Sequence, residues 1–137
     1  MSGGSEPIQI LLVEDDELEA ELLERRLRRD GLHFALVRVQ TAVAMTRALE
    51  SGRWDIVLSD FNMPGFSGQD ALALLRERAN DVPFVFVSGV ASELAATIAR
   101  RLGAAEYVTK DDLGRVAPVI LQVLGNGRNG GPATTGG

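Results

Sequence analysis

Five short apolar runs, each followed by a longer stretch with helical spacing, restrict the possible folds of this chain more than any other feature. The runs are IQILLV at 8–13, FALVRV at 34–39, DIVLS at 55–59, PFVFV at 83–87 and EYVT at 106–109. Their length and β-branched or aromatic content read as strands. Residues 17–30 then place Leu18, Leu22, Leu23 and Leu27 on one helical face, with Glu21–Arg25 and Glu24–Arg28 pairs on the other. Gly31 suits that helix's stop. A second helix is expected from Thr41 to Ser51, ended by Gly52. The third starts at the N-cap Ser67 and carries Ala71, Leu72, Leu74 and Leu75. The fourth runs from Ser92 to Leu102, stopped by Gly103, and the last from Leu113 to Leu124.

Strands alternating with helices across short connections imply parallel pairing and right-handed crossovers, with helices on both sheet faces. Uninterrupted apolar strands agree with burial on both faces. The expected fold is α/β: an open, doubly wound, five-stranded parallel sheet of (βα)5 form. The 137 residues suit one domain, expected over residues 7–125. Residues 1–6 and the glycine-rich segment 126–137 have too little apolar content to offset ordering entropy and are expected to be flexible. A net charge of -5 argues against duplex nucleic acid or an anionic membrane as partner. With no cysteine there is no disulfide or thiolate metal site. Neither a basic, apolar leader nor a run of membrane-spanning length stands in the sequence, so a cytoplasmic location is expected.

In such sheets ligands bind beyond the carboxyl ends of the strands. Those ends carry Glu14-Asp15-Asp16, then Asp60, Ser88 and Thr109-Lys110; only the second strand ends blandly, in Gln40-Thr41. Each has an ordinary explanation alone. An acid after a strand often caps the next helix, Ser88-Gly89 is a common turn, and Lys110 could pair with Asp111 or Asp112. Jointly, packed carboxylates repel one another unless a cation sits among them, and an all-oxygen donor set suits Mg2+ or Mn2+. A zinc site is unsupported, since His33 is the single histidine and reads as a solvated loop residue. No dinucleotide-binding or Walker glycine loop follows the first strand, and Ser88 lacks the nucleophile-elbow context. A flavin phosphate loop would fall where this chain places acids.

Four segments stand in an order and spacing that resembles a known family: LLVEDD at 11–16, VLSDFNMPGFSG at 57–68, VPFVFVSG at 82–89 and AAEYVTKDDL at 104–113. Over about residues 8–124 the chain resembles the receiver domain of bacterial two-component response regulators. The resemblance implies a flavodoxin-like receiver fold and a phosphoacceptor signalling switch, not a metabolic enzyme, catalysing only its own phosphorylation and dephosphorylation. Asp60 would take a phosphoryl group from a histidine kinase, a histidine phosphotransfer protein or a small acyl phosphate. Asp15 and Asp60 would bind Mg2+ (or Mn2+) directly, Asn62 through its backbone carbonyl, and Glu14 through water. Ser88 would donate its hydroxyl to a phosphoryl oxygen, Lys110 would pair with the carboxylate and then the phosphoryl group, and Tyr107 would act with Ser88 as the switch.

Asp16 is left a secondary or capping role. Phe61, Met63 and Phe66 read as loop packing, with Pro64, Gly65 and Gly68 shaping the turns. Serine stands where threonine is commoner, and Asp111 where the family usually has a cis-linked proline. A cis bond before a non-proline costs about 2.5–4 kcal/mol, so a trans Lys110–Asp111 bond is expected. The KDDL sequence is similar to receivers found beside sensor kinases. Output is expected by contact with a downstream protein through the face of the fourth helix, fifth strand and fifth helix, where Arg100, Arg101 and Arg115 could lie. Neither nucleic acid nor membrane is an expected direct partner, and a monomer or weak dimer is the expected state. The alternatives are a receiver-shaped binding module that works without phosphorylation and a small phosphatase.

Overall fold

A computed structural model of the chain describes residues 6–79 and 81–129. The strands are β1 (Ile8–Val13), β2 (Phe34–Val39), β3 (Ile56–Ser59), β4 (Phe84–Ser88) and β5 (Glu106–Thr109). The helices are α1 (Glu17–Arg29), α2 (Ala42–Ser51), α3 (Gly68–Arg78), α4 (Glu93–Arg101) and α5 (Val116–Asn129). All strand pairs are parallel, in the order β2-β1-β3-β4-β5. The chain steps outward from β1 to β2, then returns past β1 to build β3, β4 and β5. Direction therefore reverses between β1 and β3, which opens a crevice at their carboxyl ends.

The lack of alternation in the strand sequences follows from two separate cores. Ile10, Leu12, Ile56, Leu58, Val85 and Val87 face one side, where α1 and α5 cover them with Leu23, Leu27, Val116 and Ile120. Leu11, Val13, Val57, Phe84 and Phe86 face the other, against Met45, Leu72, Leu75 and Ala99 of α2, α3 and α4. Four helices begin as their sequences direct. Asp16, Thr41, Ser67 and Ser92 are N-caps, each accepting from the backbone N–H three residues on.

Two local expectations change. The buried line of α1 is Ala20, Leu23 and Leu27, while Leu18 (63% exposed) and Leu22 (48%) face outward. The helix is rotated so that its buried arc runs through Ala20, Leu27 and Leu23 and leaves Leu18 and Leu22 outside it. The last helix also starts late. Residues Lys110–Arg115 form a 3-10 segment with a break at Asp112 (φ -130°, ψ 58°), and α5 proper begins at Val116 and runs to Asn129, past Leu124. The Lys110–Asp111 bond is trans, no cis peptide occurring among the described residues. Flexibility was expected of residues 1–6 and 126–137; of these, 1–5 and 130–137 lie outside the described residues.

Candidate functional site

Sheet hydrogen bonding continues one residue past the strand ends and fixes two acids side by side. The Glu14 N–H donates to Val39 O (3.0 Å) and the Asp60 N–H to Val13 O (3.0 Å). Glu14 is 3% exposed; its carboxylate accepts from the Asp16 N–H (3.2 Å) and from Lys110 Nζ (2.8 Å). Asp60 Oδ1 accepts from the Phe61 N–H (2.8 Å), and the Asn62 backbone N–H also hydrogen-bonds the carboxylate. Oxygens of Glu14, Asp15 and Asp60 lie within 4.8 Å of one another, forming the three-acid cluster among the described residues. Lys110 Nζ stands 3.6 Å from Asp60 Oδ2.

Burial dominates the electrostatics. It pushes the carboxyls of Glu14 and Asp60 above their ordinary values, and the opposing pull of Lys110 and the backbone donors does not cancel it. Burial alone would lower the Lys110 ammonium, but Glu14 and Glu19, with Asp60 behind them, outweigh it and push the pKa up. One ammonium therefore serves several carboxylates, and the crevice keeps an excess of negative charge. Such a donor set, all oxygen and incompletely neutralised, fits a hard divalent cation.

The loop after β3 has the packing its sequence suggests. Met63 is buried, and Phe61 and Phe66 pack on the α2–α4 core. The Phe61 ring meets Phe86 edge-on at 5.0 Å and Tyr107 at 5.8 Å. Gly65 takes φ +82°, the left-handed region that favours glycine. Gly68 is needed for another reason: a Cβ there would lie 2.2 Å from the Asp60 carbonyl oxygen and 2.7 Å from the Phe86 ring. Ser59 Oγ donates to that same carbonyl (2.8 Å), holding the peptide beneath Asp60.

Ser88 is buried at the end of β4, its Oγ accepting from the Val90 N–H (3.1 Å). Tyr107 stands inward, 5% exposed, and donates its hydroxyl to Val90 O (2.6 Å). The Val90 backbone is thus held from one side by Ser88 and from the other by Tyr107. Glu14, Asp15, Asp60, Ser88 and Lys110 gather at the carboxyl edge, while Asn62 is exposed two residues past Asp60. Asp16 proves to be the α1 cap, and Lys110 bonds across the crevice to Glu14 and Glu19. Three contributors were not singled out from the sequence: Glu19; Arg38, whose Nη1 donates to the Glu14 carbonyl (2.9 Å); and Ser59. A charged residue near the end of an apolar strand was the available signal for Arg38. Glu19 gave none beyond its capping-box spacing from Asp16.

Such a crevice, at the reversal of a five-stranded parallel sheet, defines a class of protein: the chain belongs to the response regulator receiver domain family, matched across residues 10–117. Members of that family are generally signalling switches, and the acidic cluster is where receiver domains bind Mg2+. The sensory transduction protein RegX3 of Mycobacterium tuberculosis is 38% identical over 101 residues, 74% of this chain and 43% of that protein. The response regulator protein FleR of Pseudomonas aeruginosa is 36% identical over 102 residues, 74% of this chain and 21% of that protein. The chain thus spans less than half the length of these curated relatives. In fold it is similar to the receiver domain of the sensor histidine kinase PA1611 from Pseudomonas aeruginosa (TM-score 0.73, 24% identity, 88% of this chain and 99% of that one), solved with a magnesium ion coordinated in its active-site cleft. Among the described residues no helix is long and apolar enough to cross a membrane.

Proposed function

We propose that the chain is a phosphorelay switch in which Asp60 accepts a phosphoryl group from a phosphohistidine of a kinase or phosphotransfer protein, or from a small acyl phosphate. The observation that carries this reading is the position of the Asp60 carboxylate. It lies at the sheet reversal, within one cluster with Glu14 and Asp15, with the Lys110 ammonium 3.6 Å away. An Asp60 carboxylate oxygen forms the new bond to phosphorus. The bond from phosphorus to the donor nitrogen or oxygen breaks, and its electron pair leaves with the donor group. The transferring group spreads charge over its equatorial oxygens, so positioning and neutralisation are the protein's task. Lys110 supplies a mobile ammonium for one oxygen, and the Ser88 hydroxyl a donor for another. Asp15, Asp60 and the Asn62 carbonyl would hold Mg2+ or Mn2+, with Glu14 acting through water. When bound, the ion offsets repulsion between the carboxylates and the incoming anion.

Ser88 would give up the Val90 N–H to reach the phosphoryl group, which frees the amide of a residue whose carbonyl, in the next peptide, Tyr107 holds. Val90 leads into α4, where Leu94 (70% exposed), Ile98 (37%) and Leu102 (45%) follow at helical spacing. That stripe, with β5 and α5, is the surface offered to a downstream protein. Arg100 is engaged there with Glu106 at 2.9 Å. Intact-mass spectrometry after incubation with acetyl phosphate and Mg2+ tests the assignment. Wild type should gain one phosphoryl group, lost on chelation of the metal and in Asp60→Asn; equal mass gain in both proteins refutes it.

A further inference from the structure

A fourth carboxylate reaches the site from a place the acid cluster does not explain. Asp16 and Glu19 have the spacing of a capping box, in which the N-cap accepts from the third residue and that residue's side chain returns to the N-cap N–H. In α3 both halves form between Ser67 and Asp70. In α1 only the first half forms, the Glu19 N–H donating to Asp16 Oδ1 at 3.1 Å. The Glu19 carboxylate turns away from its own helix terminus and accepts from Lys110 Nζ, 91 residues along the chain. The 3-10 segment from Lys110 to Arg115 packs against α1, which brings the lysine over the first turn of that helix.

Lys110 then bonds to Glu14 and Glu19 and stands off Asp60 at 3.6 Å, beyond hydrogen-bond length. We propose that Glu19 is a positioning residue that acts through Lys110: it holds the ammonium away from Asp60, so that an arriving phosphoryl group must take the lysine from it. The inference rests on the reading of Asp60 as phosphoacceptor. Glu14 belongs to the acid cluster and can be drawn toward a bound cation. Glu19 is outside that cluster, so it keeps its hold on Lys110 when the metal site is filled. Its side chain is 43% exposed, against 19% for Lys110 and 4% for Glu14. Solvent weakens such a pair, so the restraint is one a phosphoryl group can overcome.

The test compares wild type with Glu19→Gln, which keeps the shape and removes the charge. Phosphorylation by acetyl phosphate at saturating Mg2+ is timed by intact mass, and the Lys110 ammonium is followed by 15N-resolved NMR. The expected result is a rate about two- to fivefold higher in the variant, the range an ion pair of this exposure allows. The Lys110 signal should shift in the variant, and in wild type should shift when beryllofluoride is added. An unchanged or lower rate overturns the inference, as does a higher rate with an unmoved Lys110 signal, which would place the effect elsewhere. If wild type phosphorylates normally and the variant matches it, the inference falls and the function stands. If wild type takes no phosphoryl group, both fall.

Discussion

Gly68→Ala tests most directly how the packing beneath Asp60 sets the site. Gly68 opens α3 and its N–H donates to Phe61 O at 3.1 Å. Its φ lies outside the left-handed region, so alanine is not excluded by backbone conformation. The obstacle is space. The added methyl would stand 2.2 Å from the Asp60 carbonyl oxygen, 2.7 Å from Phe86 Cε1 and 3.0 Å from Phe61 Cα. Two of those neighbours are backbone, and the third is a ring buried completely in the core. Overpacking typically costs about 1–3 kcal/mol, and the absence of a flexible neighbour puts this site at the upper end. Alanine returns less than about 1 kcal/mol of helix propensity at a first-turn position. The net loss is roughly 2 kcal/mol, or a fall in melting temperature of about 6–10 °C for a domain of this size. Gly65→Ala is the comparison: at φ +82° with nothing near its Cβ, it meets backbone strain alone, about 1 kcal/mol. Thermal melts of the two variants are the assay. A Gly68→Ala protein as stable as wild type, or less affected than Gly65→Ala, would refute the argument. Because the clash bears on the Asp60 peptide, the acetyl phosphate reaction per folded molecule should also fall in Gly68→Ala more than in Gly65→Ala.

The metal-free protein should lose stability as pH rises above the ordinary carboxyl values of 3.8 for Asp60 and 4.5 for Glu14. Burial raises both groups in the folded state, so that state holds more protons than the unfolded chain in this window. Their contribution is then greatest below those values and is lost as pH climbs through the raised folded ones. Glu106 works oppositely: burial is outweighed by the Tyr107 N–H and Arg100, which hold its carboxyl low, so its contribution is lost as pH falls. Melting temperature against pH, with and without Mg2+, checks the sign: Asp60→Asn should flatten the metal-free slope and Mg2+ should oppose it in wild type, whereas an unchanged slope in Asp60→Asn contradicts the account. Separately, Ser67→Ala removes the acceptor for the Asp70 N–H and half of the α3 capping box, and should cost about 1 kcal/mol in a denaturant titration; no change in midpoint would mean the cap is replaced by solvent.

The strand ends were legible because parallel strands buried on both faces leave a simple text: apolar residues stop, and the next residue is at the crevice. Glu14, Asp60, Ser88 and Lys110 were found in this way, and a single rule about sheet edges brought them together. The caps at Asp16, Thr41 and Ser67 were readable because each is a local event completed within three residues, while Ser92, read as the first residue of its helix, is the N-cap. What escaped depends on distant geometry. The outward turn of Leu18 follows from how α1 is rotated against the sheet, which periodicity does not fix when Leu18, Leu22 and Leu23 are all apolar. The late start of α5 is different: it follows from the 3-10 segment at Lys110–Arg115, and Gly114 within it and Pro118 in the first turn of α5 were the local signals. Glu19 was hidden by its own plausibility, since its spacing from Asp16 fits a cap that forms only in part.

The same unevenness explains how one site can be both stable enough to exist and ready to change. Most of its framework is over-determined: Asp60 is fixed by a β1 carbonyl through its N–H, by Ser59 under its carbonyl and by the Phe61 N–H on its carboxylate. The charges it carries are not balanced in the same way. Several carboxylates compete for Lys110, burial works against two of them, and the lysine's hydrogen bonds go to Glu14 and Glu19, with Asp60 left a longer ion pair at 3.6 Å. Contacts at Val90 are similarly divided, with Ser88 on the N–H and Tyr107 on the carbonyl of one residue, in two successive peptide groups. On the proposed function, a phosphoryl group at Asp60 would draw both Lys110 and Ser88 toward itself. Each would have to leave a present partner, so the phosphoryl group's net effect is the difference between new contacts and old ones. Population shift depends on such differential affinity and not on total binding strength. A rigid carboxylate surrounded by exchangeable partners would meet that requirement, because on the proposed function the bond-forming atom would stay in register while the groups around it carried the change outward to α4.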